Sequence, residues 1–207
     1  MLKSLVDAPN SRRAKRVDAK RRVILRAAKA VFLKSGFGGA TMDGIAARAS
    51  VSKMTVYRHF EDKEALFAGV ITELCEQIVD DDLDSLFGKS PEQALRGFAK
   101  KMIGILFAPE TVELHRIVVA ESQRFPKLGR LFYESGPEAS ISILADYLAR
   151  NKSSPAFKIR DPRRSAEEFL ELLRGYLHLR VLLGLQKAPA QREISDRIDA
   201  AVGHILA

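Results

Sequence analysis

The chain has 207 residues, 46% of them apolar, and a formal net charge of +8, a composition that suits one large or two small globular domains. No run approaches the roughly 18 apolar residues of a membrane span, and MLKSLVDAPN has no secretory leader pattern. Cys75, alone, excludes an internal disulfide framework. A cytoplasmic protein is the expectation, with no membrane partner, no metal and no cofactor. The charge is uneven: residues 1–60 carry 14 Lys or Arg against 3 Asp or Glu, a balance of +11, and the rest balances at −3. That asymmetry suits a polyanionic partner, whose condensed counterions are released on binding.

Residues 1–16 mix Pro9, Asn10 and Ser11 with Arg12, Arg13, Lys15 and Arg16 and show no helical stripe, so a flexible basic arm is expected there. From Val17 to Ser35, Ile24, Ala27, Ala28, Val31 and Phe32 recur at three and four residues and share one helix face. Gly36, Gly38 and Gly39 stop that helix, Gly36 at the C-cap. Thr41 can cap a second helix, with Asp43 in its first turn and Ile45, Ala46 and Ala49 inward. Ser50 and Val51 make a turn, and Ser52 can cap a third helix from Lys53 to about His59, pinned by Val56 and Phe60. Lys53, Met54, Thr55, Tyr57, Arg58 and His59 are left largely outward, which suits reading a major groove.

The stretch Thr41 to Leu66, including TVYRHFEDKEALF, resembles the DNA-binding domain of the TetR family of bacterial transcriptional regulators. Two departures are Ser50, where the family commonly has Gly, and Gly44 inside the second helix; each costs about 1 kcal/mol or less. The resemblance implies an all-α fold, with a three-helix helix-turn-helix domain over residues 17–66 and a larger helical regulatory and dimerisation domain over 67–207. It also implies that Thr41, Ser52, Tyr57, His59 and Lys63 hold phosphates while Lys53, Met54, Thr55 and Arg58 face base edges.

A fourth helix is expected from Lys63 through Leu83, with Leu66, Val70, Leu74 and Ile78 inward and a solvated acidic end at Asp80, Asp81, Asp82 and Asp84. Ser90 as cap and Pro91 at the first helical position open the next helix, to about Leu106, with Phe98, Met102, Ile105 and Leu106 as its stripe. Another runs from Thr111 to Gln123; Phe125-Pro126 and Gly136-Pro137 then bracket a short element before a helix from Glu138 to Arg150. The stretch RIVVAESQRFPKLGRLFYESGP resembles the regulatory region of the AefR-like TetR proteins. Phe98, Met102, His115, Val118, Phe132 and Tyr176 are candidate walls of an effector cavity, though Met and Phe at helical spacing also serve as plain core.

After a loop at 151–161, Arg163 to Leu185 is apolar nearly all the way round and must be covered on more than one side. The final helix has a cleaner stripe. Phe169, Leu182, Ile194, Ile198 and Val202 are the candidate interface of a homodimer, four helices meeting about a two-fold axis as in the family. The expected function is a repressor on a palindromic double-stranded DNA operator, released by a small apolar or amphipathic effector. The alternatives are a DNA-binding protein whose C-terminal half is a protein-interaction platform, and an enzyme with an attached helix-turn-helix. For the last there is no phosphate-cradling Gly loop and no HExxH, and His59, His115, His178 and His204 lack ligand spacing, so no catalytic residue is assigned.

Overall fold

The computed structural model describes residues 8–76 and 82–206. They form helices α1 (Ala8–Gly39), α2 (Met42–Arg48), α3 (Lys53–His59), α4 (Lys63–Glu76), α5 (Asp82–Phe87), α6 (Pro91–Leu106), α7 (Pro109–Glu121), α8 (Pro126–Tyr133), α9 (Ala139–Arg150), α10 (Pro162–Leu182) and α11 (Gln191–Ile205). Two compact units divide between Val70 and Ile71, inside α4, rather than at the expected 66/67 boundary.

In the first unit, Phe32, Phe37 and Phe67 are fully buried, with ring centroids 5.2 to 5.8 Å apart. Gly69 lets α4 approach α1: a Cβ there would stand 2.9 Å from both Leu25 and Phe60. The expected arm is replaced by helix over residues 8–16, because Pro9 is compatible with a first helical turn and the Arg and Lys that follow are good helix formers. Residues 1–7 of that arm lie outside the described residues. Gly36 breaks the helical path at φ 69° and ψ 175°.

In the second unit, α6, α9, α10 and α11 enclose a core that includes Leu95, Phe98, Leu144, Tyr147, Phe169, Leu173, Ile198 and Val202. Pro91, Pro109, Pro126 and Pro162 each stand in a first helical turn, where the missing N–H has no role. Ser90 holds the cap position of α6 without a side-chain cap bond. The fourth helix ends at Glu76 among the described residues; Ile78, Asp80 and Asp81 lie outside them, and Asp82 and Asp84 fall within α5.

Gly136-Pro137 does not break the chain. Residues Glu134–Glu138 form a π turn that joins α8 to α9 with Pro137 inside it. The wider i→i+5 pattern accommodates the N–H that proline lacks. Arg163 forks onto both carboxylate oxygens of Glu138 at 2.8 Å, tying the π turn to the start of α10. The last long helix ends at Leu182, not Leu185, and bends at Gly175 (φ 45°, ψ −160°). From α7, Arg116 donates to the carbonyls of Val181 and Leu182 at 2.8 Å, satisfying the C-terminus of α10.

Candidate DNA-reading head and ligand cavity

The head is set by two side-chain caps. The Thr41 hydroxyl accepts from the Gly44 N–H at 3.1 Å and the Ser52 hydroxyl from the Thr55 N–H at 3.1 Å, fixing the starts of α2 and α3. Ser50 turns the chain between them at φ 54°. Buried Val56 and Phe60 anchor α3, which leaves Met54 77% and Tyr57 44% exposed, Lys53 and Arg58 outward, and Thr55 and His59 half-buried. Lys53 is not loose: its ammonium pairs with the Asp43 carboxylate at 2.9 Å, which raises its pKa. Burial, with Arg58, Arg21 and Lys20 nearby, pushes the His59 pKa down.

Lys63 makes contacts inside the head. Its ammonium donates to the Phe37 carbonyl at 2.7 Å and the Ala40 carbonyl at 3.0 Å and lies 4.5 Å from the centre of the Phe37 ring. The side chain therefore fastens α4 to the end of α1, where exposed carbonyls attract a cation. Asp62 caps α4 by accepting from the Ala65 N–H at 2.6 Å.

The second unit contains a cavity of about 540 Å³. Its wall is mostly apolar, with Ile71, Leu74, Met102, Ile105, Leu106, Leu114, Phe132, Ile141 and Leu170, and the π turn contributes Gly136 and Pro137. Thr111, His115, Ser140, Glu167, Glu171, Arg174 and His178 supply the polar part. His115 stands 5.1 Å from Phe132 and 5.3 Å from His178, centroid to centroid. Burial and the Arg174 guanidinium lower both imidazole pKa values, that of His178 to about 4 with His115 adding to the effect, so both rings are neutral near pH 7. Few polar groups on an apolar concave wall is the usual makeup of a small-molecule site.

Residues 24–70 match the bacterial regulatory proteins of the tetR family, and residues 93–207, more than half of the chain, match the AefR-like transcriptional repressor C-terminal domain. The chain belongs to the TetR family. It is a DNA-binding transcriptional regulator, in a family of regulators rather than enzymes. A TetR-family regulator from Mesorhizobium loti MAFF303099 is 30% identical, with 91% of this chain and 95% of that one covered and a TM-score of 0.75. The flavonoid-responsive regulator FrrA is 40% identical over 90% of this chain and 94% of its own, at a TM-score of 0.70. The transcriptional repressor Rv1474c of Mycobacterium tuberculosis is 28% identical over 89% of each chain.

In this TetR regulator, three of the six candidate wall residues, Met102, His115 and Phe132, line the cavity. Phe98 is buried in the core outside its lining, and Val118 is buried but does not line it. Tyr176 is 81% exposed and belongs to a smaller hollow with Leu179 and Leu182, the Gly175 bend having turned it outward. Of the candidate interface residues, Phe169, Ile198 and Val202 are buried in the chain's own core, Ile194 is partly buried against it, and Leu182 is half-buried. The exposed apolar residues of that region are instead Tyr176, Leu179, Leu183 and Leu185. Sequence reasoning missed Glu167, Glu171, Arg174 and His178. Their 4-3-4 spacing puts a polar stripe on an otherwise apolar helix, and that stripe was the available signal. Among the described residues no helix is long and apolar enough to cross a membrane.

Proposed function

We propose that this TetR regulator is a homodimeric repressor that binds a pseudo-palindromic operator and is released when an aromatic, largely apolar effector fills the cavity. The observation that carries the reading is the cavity itself, about 540 Å³ with an apolar wall and few polar groups. The flavonoid response of the 40% identical relative FrrA supports a flavonoid-like effector. Helix α4 supplies the coupling element: Lys63 fastens it within the head, and Ile71 and Leu74 of the same helix line the cavity.

In the dimer, two heads occupy successive major grooves about 34 Å apart. Thr41, Ser52, Tyr57 and His59 hold phosphates, as do the backbone amides at the start of α4. Lys53, Met54, Thr55 and Arg58 face the bases. An effector that favours a different head spacing weakens the operator complex; a coupling of ~1 to 3 kcal/mol reduces affinity about 5- to 150-fold. The test is selection of bound sequences from random DNA, followed by titration of the operator complex with the trihydroxy flavanone naringenin. A two-fold symmetric site that is released in that range is the expected result. Bound naringenin with unchanged operator affinity overturns release by effector.

A further inference from the structure

His115 on α7 and His178 on α10 face each other across the cavity wall, ring centroids 5.3 Å apart. Phe132 lies 5.1 Å from the first ring and Phe107 5.6 Å from the second, so the four rings form one aromatic patch. Among the described residues, neither nitrogen of the half-buried His115 ring has a hydrogen-bond partner. A neutral imidazole offers one bare nitrogen as acceptor and one N–H as donor to a ligand in the cavity.

The charged groups nearby do not invite an anion. Arg174 is already paired with Glu171 at 3.0 Å, and Glu167, on Arg163 at 3.2 Å, adds a second carboxylate to the wall. An anionic ligand would meet two carboxylates and one engaged cation, whereas hydroxyl groups on a flat ring find an acceptor and an aromatic surface together.

We infer that His115 and His178 set the specificity of the cavity by taking hydrogen bonds from ring hydroxyl groups of an uncharged aromatic ligand. This rests on the cavity being the effector site. His115 and His178 select for hydroxylation, and the surrounding apolar wall contributes affinity with little discrimination.

The experiment is calorimetric titration of the full chain with naringenin and with unsubstituted flavanone, for the wild type, His115→Phe, His115→Gln and Ile105→Trp, each first checked by thermal melting. The wild type should prefer naringenin by at least about tenfold. His115→Phe should lose that preference through weaker naringenin binding alone, and His115→Gln, which keeps an acceptor, should retain part of it. Equal binding of both compounds by the wild type, or full preference in a folded His115→Phe, overturns the inference. Naringenin affinity untouched by Ile105→Trp, which obstructs the cavity, or no binding of either compound by the wild type, overturns the effector reading of the cavity instead, and this inference with it.

Discussion

Ser50 holds a backbone conformation, φ 54°, that L residues other than glycine adopt at a cost, and it does so in the turn between α2 and α3. Ser50→Gly should raise stability by about 1 kcal/mol, read as a higher urea midpoint at constant slope. Lys63 separates two roles. If its ammonium serves the Phe37 and Ala40 carbonyls, Lys63→Met removes both of those bonds, leaving the Phe37 carbonyl with the Ala40 N–H at 3.3 Å, and costs about 1 to 3 kcal/mol, while the salt dependence of DNA binding keeps its slope. A shallower slope by about 1 with unchanged stability would return the side chain to a phosphate. His178 gives a pH signature. Its folded pKa of about 4 lies below the ordinary 6.5, so the unfolded chain takes up a proton first as pH falls. Its contribution is complete above pH 6.5 and is lost as pH falls towards 4, so the melting temperature should drop across that window and drop less in His178→Gln. The caps Thr41 and Ser52 were legible because a hydroxyl at a fixed offset from a helix start has few other uses. The fate of Lys63 was not, since a long side chain can fold back onto carbonyls more than twenty residues away.

The start of α6 was legible from Pro91 in its first turn, whereas Pro9, also in a first turn, reads as part of an arm. Interruptions inside helices were not legible. Gly136-Pro137 has the composition of a stop, yet the chain continues through a π turn. Gly175 carried no signal in the apolar run of α10, yet it bends the helix. At that bend Arg197 from α11 reaches in and donates to the Leu172 carbonyl at 3.3 Å, occupying the space where a Cβ would go. Gly175→Ala should therefore lower stability by about 1 kcal/mol or more in thermal melts, since the positive φ strains any Cβ there even when the flexible end of Arg197 moves aside. A melt unchanged by that substitution would mean the bend relaxes freely.

For the molecule as a whole, the charge asymmetry was legible in the composition, because a polyanion partner leaves its mark along the chain, whereas the division into two domains came from the TetR resemblance. Which apolar face of α10 meets the chain's own core was not legible, since apolar residues on every side carry no phase. The exposed group Leu179, Leu183 and Leu185 carries the expectation for the proposed dimer: Leu183→Asp with Leu185→Asp should halve the sedimenting mass and leave a cooperative thermal transition. Ile198→Asp, in the chain's own core, should abolish that transition. The π turn extends to heredity. A π turn takes about one residue more than an α turn, so losing the single codon for Pro137 would make α8 and α9 one regular helix, keeping Phe132 and Ile141 near their faces but removing the π segment from the wall. Helical content would survive while the binding hollow changed shape. A lineage could thus discard one effector, or acquire another, by a three-base deletion that leaves every DNA-contacting residue in place.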